Sequence, residues 1–331
     1  MKTRHLVLSM TLAISAFVGY AVATDQEPVT ATAERVAITP AVAGLGQARV
    51  YDPAHLLKPK RKYLGVAIAG APTSMKGVRS FEKTMKAKPN MLTIYEAFGD
   101  GYAAAEVRAT YAYGALPIIR WEPFDTTLAA IAAGRHDAYV TRFAENVRAL
   151  NLPIALTFAH EMNGFWYPWG AQRNSATDFV LAWQRLHNLF TRAGATNVIW
   201  AWTPNVITGA PDVELAPYYP GDAYVDWVGL DGYYTRTGPQ SYFTLFVPTI
   251  REVRKFTRRP FLIVETGAEP GPGRARAVRD LFESVADDAR MLGFVYFNQK
   301  GTKRWEIDDD PAVAAVYRSR SKALPYGFRV S

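Results

Sequence analysis

From residue 61 onward, short apolar runs alternate with longer stretches whose apolar residues recur at helical spacing. Eight runs rich in Ile, Val, Leu and aromatic residues read as strands, over residues 64–69, 91–95, 116–121, 154–160, 198–202, 227–230, 261–265 and 294–297. Between them, residues 101–113, 136–150, 176–193, 242–256 and 273–292 read as helices, and 311–322 as a last one. The runs lack polar alternation, which is the mark of strands buried on both faces. Eight strands alternating with helices over about 270 residues predict a (β/α)8 TIM barrel of the α/β class, one domain over residues 61–331. The alternative is a doubly wound open sheet. That fold usually carries a glycine-rich phosphate turn after its first strand, and Ala69-Gly70-Ala71-Pro72-Thr73 is not one.

The first residues follow another pattern. Lys2, Arg4 and His5 precede an apolar run over 6–23 that closes on Ala21-Val22-Ala23. This predicts a secretion signal over residues 1–23 and a secreted, extracellular or periplasmic protein. The competing reading is an uncleaved anchor that tethers the protein to a membrane. Residues 24–60, rich in Ala, Thr, Val and Pro without a sustained period, predict a tether or a segment lying along the surface. No other long apolar run occurs, so no membrane span is expected in the mature domain, which is read as a monomer.

Composition adds exclusions. The chain has no cysteine, which fits export and rules out thiol nucleophiles, disulfides and cysteine-bound metals. The formal charge is +8, and setting aside Lys2 and Arg4 leaves 36 basic against 30 acidic residues. The basic residues are scattered among acidic ones. Their only local clusters, residues 58–62 and Arg258-Arg259, are not interleaved with aromatics, so no nucleic-acid partner is expected. A Gly-X-Ser-X-Gly elbow and a nucleotide loop are both absent.

The candidate chemistry lies at the strand ends, which share one face of a barrel. The fourth run leads into His160-Glu161-Met162-Asn163-Gly164-Phe165-Trp166-Tyr167-Pro168-Trp169-Gly170, and the seventh ends on Glu265-Thr266-Gly267. Strands four and seven lie across the barrel mouth, so Glu161 and Glu265 are placed to face one another over a groove. Glycoside hydrolysis needs two such carboxyls, about 5–5.5 Å apart when one of them is the nucleophile. Phe165, Trp166 and Trp169 supply apolar surroundings that raise the pKa of Glu161 by desolvation. His160 and a strand-tip tyrosine are placed to donate hydrogen bonds to the other carboxylate. Glu96 and Glu122, at two further strand ends, are read as partners of sugar hydroxyls or of Arg120. A zinc reading fails because Gly164, not histidine, stands four residues after His160. Asp308-Asp309-Asp310 reads as a helix cap leading into Pro311 rather than a calcium loop.

With these motifs the chain resembles glycoside hydrolase family 26, of the clan of retaining (β/α)8 glycosidases, over most of residues 62–307. His160-Glu161-Met162-Asn163-Gly164 resembles the family's acid/base motif, Ile263-Val264-Glu265-Thr266-Gly267 its nucleophile strand, and Asp231-Gly232-Tyr233 its strand-six motif. The resemblance implies Glu161 as acid/base, Glu265 as nucleophile and Tyr233 as the residue that orients it. His160, Trp166, Trp121, Glu122, Trp202 and Trp305 complete the expected substrate-binding set, although each tryptophan also reads as a core aromatic. The chain departs from the family's mannanases at the third strand end, where Arg120-Trp121-Glu122 stands in place of a histidine, and at the eighth, where Tyr296-Phe297-Asn298 stands in place of a tryptophan. The expectation is a retaining endo-β-glycanase acting without metal or organic cofactor on β-1,4- or mixed-linkage β-glucan or β-mannan. The alternatives are a non-hydrolytic carbohydrate-binding protein and a transglycosylase of wall or capsule remodelling.

Overall fold

The computed structural model describes residues 50–331 apart from Pro211 and Thr302; the expected signal, and the tether as far as residue 49, lie outside the described residues. Eight parallel strands pair in chain order and close into a barrel: β1 (Tyr63–Ile68), β2 (Met91–Ala97), β3 (Leu116–Glu122), β4 (Ile154–Phe158), β5 (Val198–Trp202), β6 (Trp227–Tyr234), β7 (Phe261–Ala268) and β8 (Met291–Asn298). Around and between them run α1 (Ala54–Leu57), α2 (Lys76–Met85), α3 (Ala104–Tyr113), α4 (Leu128–Ala132), α5 (Asp137–Leu150), α6 (Ala176–Ala193), α7 (Tyr242–Leu245), α8 (Val247–Val253), α9 (Arg274–Asp287) and α10 (Pro311–Ala323). This is the (β/α)8 barrel that the strand rhythm predicts.

The period-two alternation of strands divides the apolar residues into two cores. Residues from all eight strands, among them Met91, Ile118, Ala155, Ile199, Leu262 and Val264, fill the barrel interior. Their neighbours in sequence, such as Ile119, Leu156, Trp200 and Ile263, pack outward against the helices. Strand β8 closes on β1 with Tyr63 opposite Gly293. Gly293 has φ +150°, and a Cβ there would lie 2.2 Å from the Tyr63 carbonyl oxygen, so only glycine lets these two backbones meet.

Leu56 enters the interior core from the end opposite the strand tips, and the Tyr63 hydroxyl donates to its carbonyl at 2.8 Å. The described part of the expected tether therefore lies against the barrel. Lys62, from one of the basic clusters, donates to backbone carbonyls of Asp288 and Met291.

Three details differ from the pattern reading. Helix α2 was not expected; its apolar side is three buried residues, Val78, Phe81 and Met85, in a mostly polar segment. The expected helix over 242–256 divides at Phe246, with Pro248 in the first turn of α8, where its missing N–H breaks no bond. The expected helix over 273–292 stops at Asp287, and its last two residues, Met291 and Leu292, begin β8. Asp310 caps α10 by accepting from the amides of Ala312 and Val313, each at 3.1 Å. No helix among the described residues is long and apolar enough to cross a membrane.

Candidate active site

Strand β4 ends at Phe158, and the chain then turns sharply. Strict alternation from Thr157 would send His160 outward with Phe158. Ala159 and Glu161 instead adopt left-handed backbone, at φ +46° and +54°, and bring His160 back over the mouth. Such conformations cost about 1–3 kcal/mol each outside glycine and persist only where the surroundings impose them. Here the surroundings are the β5 tip and the loop itself. The Glu161 amide donates to the Thr203 carbonyl at 2.7 Å, and Trp169 Nε1 donates to the His160 carbonyl at 2.7 Å. Asn163 and Asn205 exchange two hydrogen bonds, at 2.9 and 3.0 Å. Gly170 passes so close to Gly164 that a Cβ would stand 2.2 Å from that carbonyl oxygen.

The Glu161 carboxyl accepts from Asn205 Nδ2 at 2.7 Å and from Trp166 Nε1 at 2.5 Å. Burial pushes its pKa up and the charge of Glu265 adds to that; Arg120, Asn205 and Trp166 pull the other way.

Glu265 reaches the mouth through an irregularity in β7. Leu262 and Val264 point into the barrel, so alternation would turn Glu265 outward. Against β6, however, Leu230 pairs with Ile263 and Asp231 with Glu265, leaving Val264 as an extra residue. This bulge restores the inward face. Two hydroxyls donate to the carboxylate, Tyr233 to Oε1 at 2.5 Å and Tyr95 to Oε2 at 2.8 Å, and the Arg120 guanidinium pairs with it, Nη1 lying 3.4 Å from Oε2. Arg120 is 1% exposed and also holds Asp231 at 2.6 Å. Burial works against its charge, and Asp231 and Glu265 more than offset that.

Glu122, at the end of β3, brings a further carboxyl into the same space, with Oε1 3.8 Å from Nε2 of His160. Burial raises its pKa to about 7, opposed by Arg120 and reinforced by Glu265 and Glu161. His160 is driven well below the ordinary imidazole range, first by burial and then by Arg120, and is neutral. Its ring lies edge-on to Tyr167 and Trp169, whose own rings stack at 4.4 Å. Phe124 meets Trp169 edge-on, and Phe124 and Phe165 are both exposed.

Of the residues named from sequence, Glu161, Glu265, Tyr233, His160, Glu122 and Trp166 come together here. Trp305 packs on the Tyr233 ring at 4.5 Å. Trp121 and Trp202 do not take part, which corrects the expectation that they meet sugar. Both are 0% exposed on the outer face of their strands, Trp121 against Phe98, Phe143 and Phe158, and Trp202 against Tyr219 and Phe256. Each stands next to an inward-facing residue (Arg120 or Glu122, and Ala201 or Thr203), so the same alternation that aims those inward aims the tryptophans outward. Glu96 likewise points outward from β2, toward the start of α3. Sequence reasoning assigns no role to Tyr95 or Asn205. Their one signal was position at a strand tip, since neither type is rare in a core.

Comparison with known proteins agrees with this geometry. The family model described as "Glycosyl hydrolase family 26" matches residues 130–258, which takes in Glu161 and Tyr233 and ends before Glu265. Endoglucanase H of Acetivibrio thermocellus is 27% identical over 266 residues; the match covers 76% of this chain, which spans only 29% of that protein's length. A mannan endo-1,4-beta-mannosidase of Bacillus subtilis is 27% identical over 143 residues, covering 40% of this chain and 36% of that protein. The GH26 beta-mannanase of Bacteroides ovatus superposes with a TM-score of 0.60 at 16% identity, over 82% of this chain and 92% of its own, a likeness of fold. Taken together, these similarities point to one family: over residues 130–258 the chain matches glycoside hydrolase family 26, and its barrel is similar in fold to a solved member of that family.

Proposed function

We propose that the chain is a retaining glycoside hydrolase that cleaves β-linked glucan or mannan from within the chain. The observation that carries this reading is the contrast between the two carboxyls at the mouth. Glu265 accepts hydrogen bonds from Tyr95 and Tyr233 and pairs with the Arg120 cation, whereas Glu161 is desolvated and its pKa rises. That is the division of labour between a nucleophile and an acid.

In the proposed reaction Glu265 attacks the anomeric carbon and forms a glycosyl ester. The glycosidic C–O bond breaks as Glu161 passes its proton to the leaving oxygen. Water then attacks the same carbon, Glu161 takes the water's proton, and Glu265 leaves as carboxylate. Tyr233 and Tyr95 orient the nucleophile, Asn205 and Trp166 hold the acid, and the half-exposed Trp166 ring with Phe165 offers apolar surface to the departing sugar. The names of relatives, endoglucanase and mannan endo-1,4-beta-mannosidase, support a glucan or mannan substrate and internal cleavage. Export rests on the amino-terminal sequence alone.

The test is reducing-end release from a panel of β-glucans, mannans and xylans, with proton NMR of the first anomer formed and a mechanism-based fluoroglycoside to label the nucleophile. The expected result is cleavage of a glucan or mannan, first release of the β-anomer and label on Glu265. First release of the α-anomer would overturn the double displacement. Polysaccharide binding with neither product nor label would make the protein a binder instead.

A further inference from the structure

In a parallel barrel the segments that lead into the strands share the end opposite the active mouth. Here their charge is divided unevenly. Between the last helical turn and the strand, residues 58–62 feed β1, 86–90 feed β2, 254–260 feed β7 and 288–290 feed β8. They carry four, two, four and one basic residues, eleven in all, against the single acid Asp288. The four strands are neighbours in the barrel, in the order β7, β8, β1, β2. The segments feeding the other four strands, residues 114–115, 151–153, 194–197 and 225–226, contain no basic residue and one acid, Asp226. One contiguous half of the closed end is therefore basic.

Part of this charge is used inside the fold. Lys62 donates to the Asp288 and Met291 carbonyls, Lys255 pairs with Glu252, and Arg290 pairs with Asp288. Lys58, Lys60, Arg61, Lys86, Lys88 and Arg258 are exposed, and none of them forms an ion pair among the described residues. Helix dipoles draw cations to carboxyl ends, which accounts for last-turn residues around the whole ring, such as Arg148 of α5 and Arg192 of α6. That attraction fades within the last turn. Lys60, Arg61, Lys88 and Arg258 stand three or more residues beyond their helices, and the dipole does not explain why they gather on one half. Like charges held together repel, and an anionic partner relieves the repulsion. The chain also arrives at this end: the Tyr51 amide donates to Asn151 at the end of α5, and Leu56 enters the interior core from below. The sequence ahead of Tyr51 includes the apolar run over 6–23, outside the described residues, whose competing reading is a membrane tether. A tether reaching the barrel here turns the basic half toward the membrane.

We propose that the basic half of the closed end, built on the segments before β7, β8, β1 and β2, is a docking face for an anionic phospholipid surface. The barrel then sits on the membrane with its mouth turned outward, free to take a polymer. Lipid headgroups present a dense, flat negative charge, which suits cations spread over a face. The docking is electrostatic and does not need the apolar run: a chain that has lost residues 1–23 keeps every residue of the face.

The test is co-sedimentation of the full chain with vesicles of phosphatidylcholine, with and without phosphatidylglycerol. Insertion of the apolar run acts on both kinds of vesicle, so the face is read from the ratio of the two affinities. The expected ratio is well above one and falls as salt screens the charges. Each basic residue near a lipid surface is worth about fivefold in affinity, so the triple variant Lys60→Gln, Lys88→Gln, Arg258→Gln loses about a hundredfold of the phosphatidylglycerol-dependent part. The variant Lys76→Gln, Arg135→Gln, Lys300→Gln removes the same charge at the mouth end and keeps the ratio. Thermal melting at the wild-type midpoint shows that both variants are folded. A ratio near one in the wild type overturns the proposal, as does a ratio unchanged in the first variant or lowered equally in both. Loss of retention on immobilised polygalacturonate by the first variant, with vesicle binding unmoved, gives the face to an acidic polysaccharide and overturns it too. The glycosidase reading is tested by its own products, and its failure leaves this proposal standing.

Discussion

Asp231 and Arg120 hold one another at 2.6 Å in nearly complete burial, and the other amino group of the guanidinium lies 3.4 Å from Glu265. Asp231 touches no substrate in the proposed reaction, yet it fixes the cation that fixes the nucleophile. Removing one partner of such a pair leaves a buried charge uncompensated and costs about 3–5 kcal/mol. Asp231→Asn is therefore expected to lower the denaturant midpoint sharply and to depress turnover as well. A midpoint equal to wild type would show that the pair does not hold this part of the barrel.

Asn205 donates to Glu161 at 2.7 Å and so favours its ionised form. Without that donor Glu161 keeps its proton to higher pH, and the alkaline limb of polysaccharide hydrolysis, which needs that proton, moves upward. Loss of a hydrogen bond to a charged group is worth about 1.5–3 kcal/mol, so Asn205→Ala should also lose about 10–100-fold in kcat. The pH profile of the variant is the check, and a limb moving downward would contradict the role given to Asn205.

Glu96 is buried on the outer side of β2, and among the described residues neither carboxyl oxygen has a hydrogen-bond partner. Burial raises its pKa to about 8, opposed by the Ala103 amide, which falls short of hydrogen-bond geometry, and reinforced by Asp100 and Glu106. The folded protein thus binds this proton more tightly than the unfolded chain, whose carboxyl titrates at 4.5. The proton's contribution to stability is complete below 4.5 and is lost as pH rises through about 8. Glu96→Gln is expected to melt near wild type in acid and to be more stable than wild type, by a few kcal/mol, in alkali. Parallel melting curves at all pH values would refute this.

The tryptophans divide by the face of the strand they occupy. Trp121→Ala and Trp202→Ala are predicted to cost about 3–5 kcal/mol of stability each, as truncations of buried aromatics do, with KM unchanged while the protein stays folded. Trp166→Ala and Phe165→Ala should spare stability by comparison and raise KM or lower kcat. Thermal melting and kinetics on the four variants decide it; a KM effect confined to Trp121→Ala would reverse the assignment.

The barrel was legible because parallel strands buried on both faces leave continuous apolar runs, and all eight of those runs became strands. The acid and nucleophile candidates were legible because a barrel collects strand ends on one face. Helix α2 was less so, since three apolar residues in a polar segment make a faint stripe. The outward tryptophans were misread for a related reason: residues at a strand tip belong to the mouth or to the outer core according to a rotation that apolar type does not reveal.

By itself, the sequence determined the eight-strand alternation and the two glutamates at the ends of strands four and seven; Tyr233 was named only through the family resemblance. Those features depend on local periodicity and on order along the chain. The tertiary structure decided where each of these side chains points. The left-handed turn at Ala159 and Glu161 carries His160 inward, and the extra residue at Val264 swings Glu265 toward Tyr95, Tyr233 and Arg120. Both depend on register against a neighbouring strand. A one-residue change there turns a side chain from one face to the other, and nothing within a single strand's own sequence records it.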